Sequence, residues 1–352
     1  MVKPRGRALR TAVALVGLLA LGGLVAFAVV QLHIGRVGHA LISATPGWIV
    51  LALALMGLSL LMRSVSWHEV LRAALPRTPI RWSLVVRATM IGVMGSAVFP
   101  GRIGEPSRVF VLSRRLDGST RRHLPVVAGT VFSQTLINLV ALAILAAVTF
   151  SSVSLLQGHA SALWAVLALP AFVALFVFGA PLLLRIAQRS RSLRLRAAAT
   201  AFAGLLRLAQ RGLAVFARPR QGIPAVGFQL LAWALQWASC YMVILALGLE
   251  HHGHATPVSA AAVLLAVNVT AVLPATPSNV GVFQAACLVV LAAYGVGAGQ
   301  ALAYGIILQA VELATALTLG VPALLREGMT WQDIRGARAS ERAAQETAFS
   351  AD

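Results

Sequence analysis

Six apolar runs, at 11–32, 46–62, 124–150, 160–184, 222–249 and 300–325, limit what this chain can fold into. A helix needs about 20 apolar residues to cross the hydrocarbon core of a bilayer, and these runs are near or above that length. Inside hydrocarbon no water satisfies the backbone, so a run of this kind crosses as a helix that bonds to itself. Hydrophobic residues make up 59% of the chain and charged residues 11%, against about a quarter charged in a soluble domain. The expected fold class is an all-α polytopic membrane protein.

The net charge of +19 would suggest nucleic acid as a partner in a soluble protein. Here the positive residues sit in blocks between the apolar runs: at the N-terminus, at 63–81, at 102–122, at 185–220 and from 326 onward. Segments 151–160 and 249–257 contain no Lys or Arg. Such blocks are topology signals that stay on the cytoplasmic side, so no nucleic-acid partner is expected and both termini are placed in the cytoplasm. Lys3 is the sole lysine in an Ala-, Leu- and Val-rich, arginine-bearing chain, the pattern of a GC-rich bacterial genome. The expected location is therefore the bacterial cytoplasmic (inner) membrane. The first run far exceeds the roughly 7–15 apolar residues of a signal peptide and is read as a retained anchor helix. Cys240 and Cys287 lie inside apolar runs and suggest neither a disulfide framework nor a metal site.

One phrase occurs twice. Residues 97–100 read AVFP and lead into GRIGEPSR; residues 271–274 read AVLP and lead into ATPSNVGVFQ. An amide follows each on a long apolar segment, Gln134 and Gln309. Helices broken at equivalent points of two halves point to the substrate site of a transporter. If 83–99 spanned, the arginines of 101–122 would land outside, so 83–116 is expected to be a hairpin re-entrant from the cytoplasm. The second pair, 257–297, would enter from the outside, although full spans at 257–273 and 282–297 satisfy the charge rule equally well. The expected plan is an inverted repeat in one membrane domain, 1–326. Its halves are 1–155 and 160–326, each with about three spanning helices plus a broken re-entrant hairpin. Basic segment 185–220 is expected as an amphipathic helix on anionic inner-leaflet lipid, and 327–352 as a polar cytoplasmic tail.

Charges at membrane depth are costly and mark a pathway or pair with each other. Arg102, Gly104, Glu105 and Arg108 form the densest such group. Guanidinium forks suit phosphate or carboxylate, and Glu105 either orients one of them or closes both into an internal clamp. The second break is uncharged; Pro277, Asn279, Gly281 and Gln284 offer backbone and amide groups to a polar head, or make a plain turn. Among intramembrane polar residues, Gln134 and Asn138 share a helix face, as do Gln309 and Glu312. Glu312 is a candidate to pair with Arg87 or Arg102, or to carry a proton. Gln229, Trp233, Gln236, Trp237 and Tyr241 share a face of 222–249, suited to a headgroup path or to packing. Glu250, His251, His252 and His254 resemble a metal set only in composition, so no metal and no cofactor is expected. No catalytic motif is found, and the chain is not expected to be an enzyme.

These motifs resemble the Arg-x-Gly-Glu-x-x-Arg signature of the flippase-like membrane region of lysylphosphatidylglycerol synthases, matched by Arg102, Gly104, Glu105 and Arg108. Pro277, Gly281, Val282 and Phe283 are similar to that family's second element. Gln284 stands where the family usually has an acid, and Gln134, Thr135 and Asn138 occupy a region that often carries an acid–base pair. The resemblance covers about residues 10–325 and implies movement of a phospholipid or glycolipid, with a charged or sugar-bearing head, between leaflets. With a short tail in place of the aminoacyl-transfer domain, the chain is not expected to make lysyl-lipid itself. The alternatives are a non-catalytic partner that scaffolds a glycosyltransferase or lipid-modifying enzyme, and, more remotely, an intramembrane enzyme acting on prenyl-phosphate lipids.

Overall fold

The computed structural model describes residues 43–98, 104–116, 120–152, 213–250, 255–271 and 279–327. Helix 11–32, span 160–184, most of the 185–220 connector, and the tail beyond Glu327 lie outside the described residues, as do Arg102, Pro277 and the three histidines after Glu250. Among the described residues there are eight α-helices and no strand: α1 (Pro46–Ala74), α2 (Trp82–Val98), α3 (Gly104–Arg115), α4 (Thr120–Ser152), α5 (Pro219–Ala246), α6 (Pro257–Thr270), α7 (Val282–Ala293) and α8 (Ala298–Arg326). A 3-10 turn, Leu213–Ala217, precedes α5. Four helices, α1, α4, α5 and α8, are long and apolar enough to cross a membrane. The other four have 12 to 17 residues, which at 1.5 Å per residue is about 18–25 Å, short of the roughly 30 Å core. The order along the chain is thus long, short, short, long, and then the same again.

Several boundaries differ from the hydropathy reading. The run 46–62 is only the first part of α1, which continues for 29 residues to Ala74. Arg63, assigned from sequence to a cytoplasmic block, therefore sits inside a spanning helix. Ser64, Ser66, Trp67, Val70 and Leu71 beyond it are buried, so packing carries the helix past the point where hydropathy falls. Of the connector, 213–217 forms the 3-10 turn, and Pro219 already opens α5 as its first residue, where a missing N–H costs nothing.

The centre of the bundle is the pairing of α1 with α5. Ala52, Ser59 and Ser66 line one helix at steps of seven, and Ala225, Ala232 and Ser239 line the other; all six are buried. Ser59 Oγ donates to Ala232 O at 2.7 Å, Ser66 Oγ to Ala225 O at 2.7 Å, and Ser239 Oγ to Ala52 O at 2.8 Å. Each step up α1 is a step down α5, so the two run antiparallel. Small residues let the backbones approach, and each hydroxyl finds a carbonyl across the seam.

Around this axis α2 packs on α3, α6 on α7, α8 on α2, and α4 on α6. The α2–α3 contact is the tightest. A Cβ on Gly104 would lie 1.8 Å from the Gly92 carbonyl oxygen, and one on Gly92 would lie 2.9 Å from Gly104 O. Only glycine at both places lets the short helices touch backbone to backbone.

Gly104→Ala should therefore lower stability by at least the roughly 1–3 kcal/mol typical of overpacking. Gly227→Ala, whose new methyl meets nothing within 4 Å, should be neutral or stabilising by up to about 1 kcal/mol. Thermal unfolding of the two variants in the same detergent compares them directly.

Candidate functional site

Gly104 starts α3 pressed against α2, which sets the position of the residues that follow. Glu105 lies in the first turn, where the helix dipole favours an acid, and Arg114 and Arg115 lie in the last, where it favours bases. One turn on from Gly104, Arg108 is driven into the bundle, with 7% of its surface exposed. A buried charge needs partners on every side. Arg108 Nη1 donates to Gln134 Oε1 on α4 at 2.8 Å. Its Nη2 forms an ion pair with Glu105, whose side chain is half exposed. The guanidinium carbon stands 4.9 Å from the centroid of the Trp67 ring on α1, a cation–π contact. Trp67 is held in turn by its Nε1 donating to Thr130 Oγ1 at 3.1 Å. Arg108 Nε is buried and has no hydrogen-bond partner among the described residues.

A second guanidinium lies alongside. Arg63, one turn before Trp67 on α1, donates from Nη2 to Gln236 Oε1 on α5 at 3.2 Å, and its Nε is likewise buried without a partner. Its main-chain carbonyl accepts Gln134 Nε2 at 3.2 Å. Arg63 is close enough to Arg108, Glu105 and Glu312 to feel the charge of each. Glu312 is half buried on α8. The network then runs on through amides. Gln134 Nε2 also reaches Gln229 Oε1 at 3.3 Å, Gln229 Nε2 donates to Asn138 Oδ1 at 2.7 Å, and Trp233 Nε1 donates to the same oxygen at 3.0 Å.

The second break is built differently. Asn279 and Gly281 both have positive φ, 52° and 88°, a conformation that glycine adopts freely and asparagine tolerates. Gln284 Oε1 accepts the Gly281 N–H at 2.7 Å, capping α7, while its Nε2 donates to Gln309 on α8. A carboxylate at 284 would keep the cap but lose the donation to Gln309.

The structure thus brings Glu105, Arg108, Gln134 and Asn138 into one network and Gly281, Gln284 and Gln309 into another, with Glu312 facing the first from α8. Arg87 belongs to neither: its carboxylate partner is Glu327, at 2.5 Å, and not Glu312. Arg63 and Trp67 escape a hydropathy reading because the apolar run ends at Arg63 although the helix continues to Ala74. Their i, i+4 spacing next to the Ser59–Ser66 step was the available signal.

Two neighbouring guanidiniums, Arg63 on spanning helix α1 and Arg108 on short helix α3, each with a buried Nε donor, suit a phosphate or carboxylate group. A family model described as the lysylphosphatidylglycerol synthase TM region matches residues 12–320. The chain belongs to this family. Membership of the lysylphosphatidylglycerol synthase TM region family, together with four membrane-spanning helices, makes it a membrane protein linked to lipid handling. No curated protein matches the chain.

Gln134→Leu removes the acceptor of a buried guanidinium, leaves Gln229 Oε1 without its donor and removes the second bond to the Arg63 carbonyl. It should cost about 1–3 kcal/mol or more. Thr135→Val, at an exposed neighbour bonded to its own helix, should stay within about 0.5 kcal/mol. Unfolding curves in detergent measure both.

Proposed function

We propose that this protein carries a lipid with a charged or glycosylated head between the leaflets of the bacterial cytoplasmic membrane. The observation that carries this reading is a pair of guanidiniums, buried Arg108 and partly buried Arg63, each with a buried Nε donor that has no hydrogen-bond partner among the described residues. Intramembrane charges held in this way mark a pathway. In the proposed mechanism the lipid phosphate or acidic head meets these donors at the half-exposed Glu105, while the acyl chains stay in the bilayer.

Translocation also calls for a molecule with two exchangeable sides, and an inverted repeat supplies one. Three features support such a repeat. Ser59 and Ala232 are 173 residues apart and bonded, as are Arg63 and Gln236. The same offset converts the Ser66–Ala225 bond into the Ser239–Ala52 bond, as expected when two antiparallel helices cross on a twofold axis. The offset in element order works as well: α2 on α3 answers to α6 on α7, and α8 on α2 answers to α4 on α6. Finally, α2 begins and α3 ends at the end of the bundle rich in arginine. By contrast α6 begins and α7 ends at the opposite one, where 251–257 and 293–298 contain no Lys or Arg. Positive-inside reasoning puts the arginine-rich end in the cytoplasm, so the two short pairs are re-entrant from opposite faces.

Arg108→Gln keeps a hydrogen-bonding side chain and removes the charge. Movement of headgroup-labelled anionic, zwitterionic and glycosylated lipids in reconstituted vesicles should fall by at least about tenfold for the transported class. No movement of any class by the unmodified protein, or undiminished movement by the variant, would overturn the reading. Retained activity of a partner enzyme alongside absent lipid movement would favour a scaffold.

A further inference from the structure

Glu327 directly follows α8 and is buried, with 3% of its side chain exposed. One carboxylate oxygen accepts Arg87 Nε on α2 at 2.5 Å and the other accepts Arg115 Nε at the end of α3 at 2.8 Å. Its main-chain oxygen takes a further bond from Arg115 Nη2 at 3.1 Å. One acid thus ties the end of α8 to α2 and α3 through arginines that are 240 and 212 residues away in sequence. We propose that this cluster is an ionic latch closing the cytoplasmic route to the Arg63–Arg108 site. The proposal rests on the translocation reading above.

The geometry gives the latch its place. Along α3, Arg108 lies at the site and Arg115 two turns further toward the basic end. Along α8, Glu312 faces the site, Gly320 packs closely on Met90 and Met94 of α2, and Glu327 stands at the basic end. The packed seam between α2 and α8 therefore runs from the site outward, and its outer end is held by Glu327. Parting α8 from the pair would open that path. The latch can open because its members are a half-exposed Arg115 and a partly exposed Arg87, which water solvates as Glu327 leaves them.

The corresponding short helices at the opposite end, α6 and α7, contain no charged residue, so neither of them offers α4 an ion pair of the kind that α2 and α3 offer the end of α8. The fold is the same at both ends and the electrostatics are not. The latch biases the resting protein toward a closed cytoplasmic side.

The test uses the full chain with Cys240 and Cys287 replaced by Ala and a Ser107→Cys reporter beside Arg108, labelled by a membrane-impermeant maleimide in inside-out vesicles. Labelling should be slow in this background and at least about fivefold faster with Glu327→Gln, the lower range of ordinary conformational coupling. Arg115→Gln, at the half-exposed rim, should speed labelling too, and the double variant should add little, since both remove one interaction. Should Glu327→Gln fail to fold, Arg115→Gln alone decides. An unchanged labelling rate in folded variants, or strictly additive increases, overturns the latch. Lipid movement is measured separately. Faster labelling in a protein that moves no lipid sinks the translocation reading but leaves the latch, and unchanged labelling in a protein that moves lipid sinks the latch alone.

Discussion

Hydrocarbon offers no hydrogen bonds, so any polar group drawn into this bundle has to be answered by the protein. Arg108 shows how far that requirement reaches. Holding one guanidinium takes a carboxylate from its own helix, an amide from α4 and an indole from α1, and the indole and amide each need a partner of their own. The position of α3 is fixed by the backbone contact at Gly92 and Gly104, and that position brings Arg108 within reach of Gln134. The α1–α5 seam has the same logic with neutral groups: three hydroxyls find three carbonyls, and small side chains bring them into range.

How much of this was readable without coordinates follows from the same physics. Helical class, the four long helices among the described residues and the two breaks were legible because hydropathy and the Pro–Gly punctuation report them directly. The extent of α1 was not, because Arg63, His68, Glu69 and Arg72 pull hydropathy down over the stretch where burial of Trp67, Val70 and Leu71 and the Ser66 bond hold the helix. The steps of seven in Ala52, Ser59, Ser66 and in Ala225, Ala232, Ser239 were present in the chain all along. They were invisible as a seam until the two helices were known to be neighbours. Glu327 was read as the start of a polar tail, since a lone acid after a helix looks solvated; its burial depends on two arginines more than 200 residues away. Gln134 and Asn138 were noticed as a pair on one face, but their partners Gln229, Trp233 and Arg63 come from other helices.

The two breaks solve one architectural problem with different chemistry. In the first half Arg108, on the short helix, bonds to Gln134 on the long helix that follows. In the second half Gln284, on the short helix, bonds to Gln309 on the long helix that follows. The bond joining short helix to long is kept, and the charge is present on one side only. A neutral amide pair needs no counterion and closes on itself, whereas a guanidinium in the same role brings a charge that the amide alone does not neutralise. The half with the charge is therefore the one that needed Glu105, Trp67 and the neighbouring Gln229 network. It is also the half that retains donors for something else.

That difference bears on how two similar halves can serve a vectorial process. A fully symmetric bundle would have equal free energy open to either face, and a ligand binding equally to both forms would shift nothing. Direction or resting bias has to come from residues that break the symmetry. Here these are concentrated in the first half and at the end of α8: Arg63 where the other half has Gln236, Arg108 where it has an amide, and the charges around Glu327 where α6 and α7 have none. On the proposed translocation reading, the apolar framework would set which two arrangements are available, and a handful of ionised side chains would set which one is occupied.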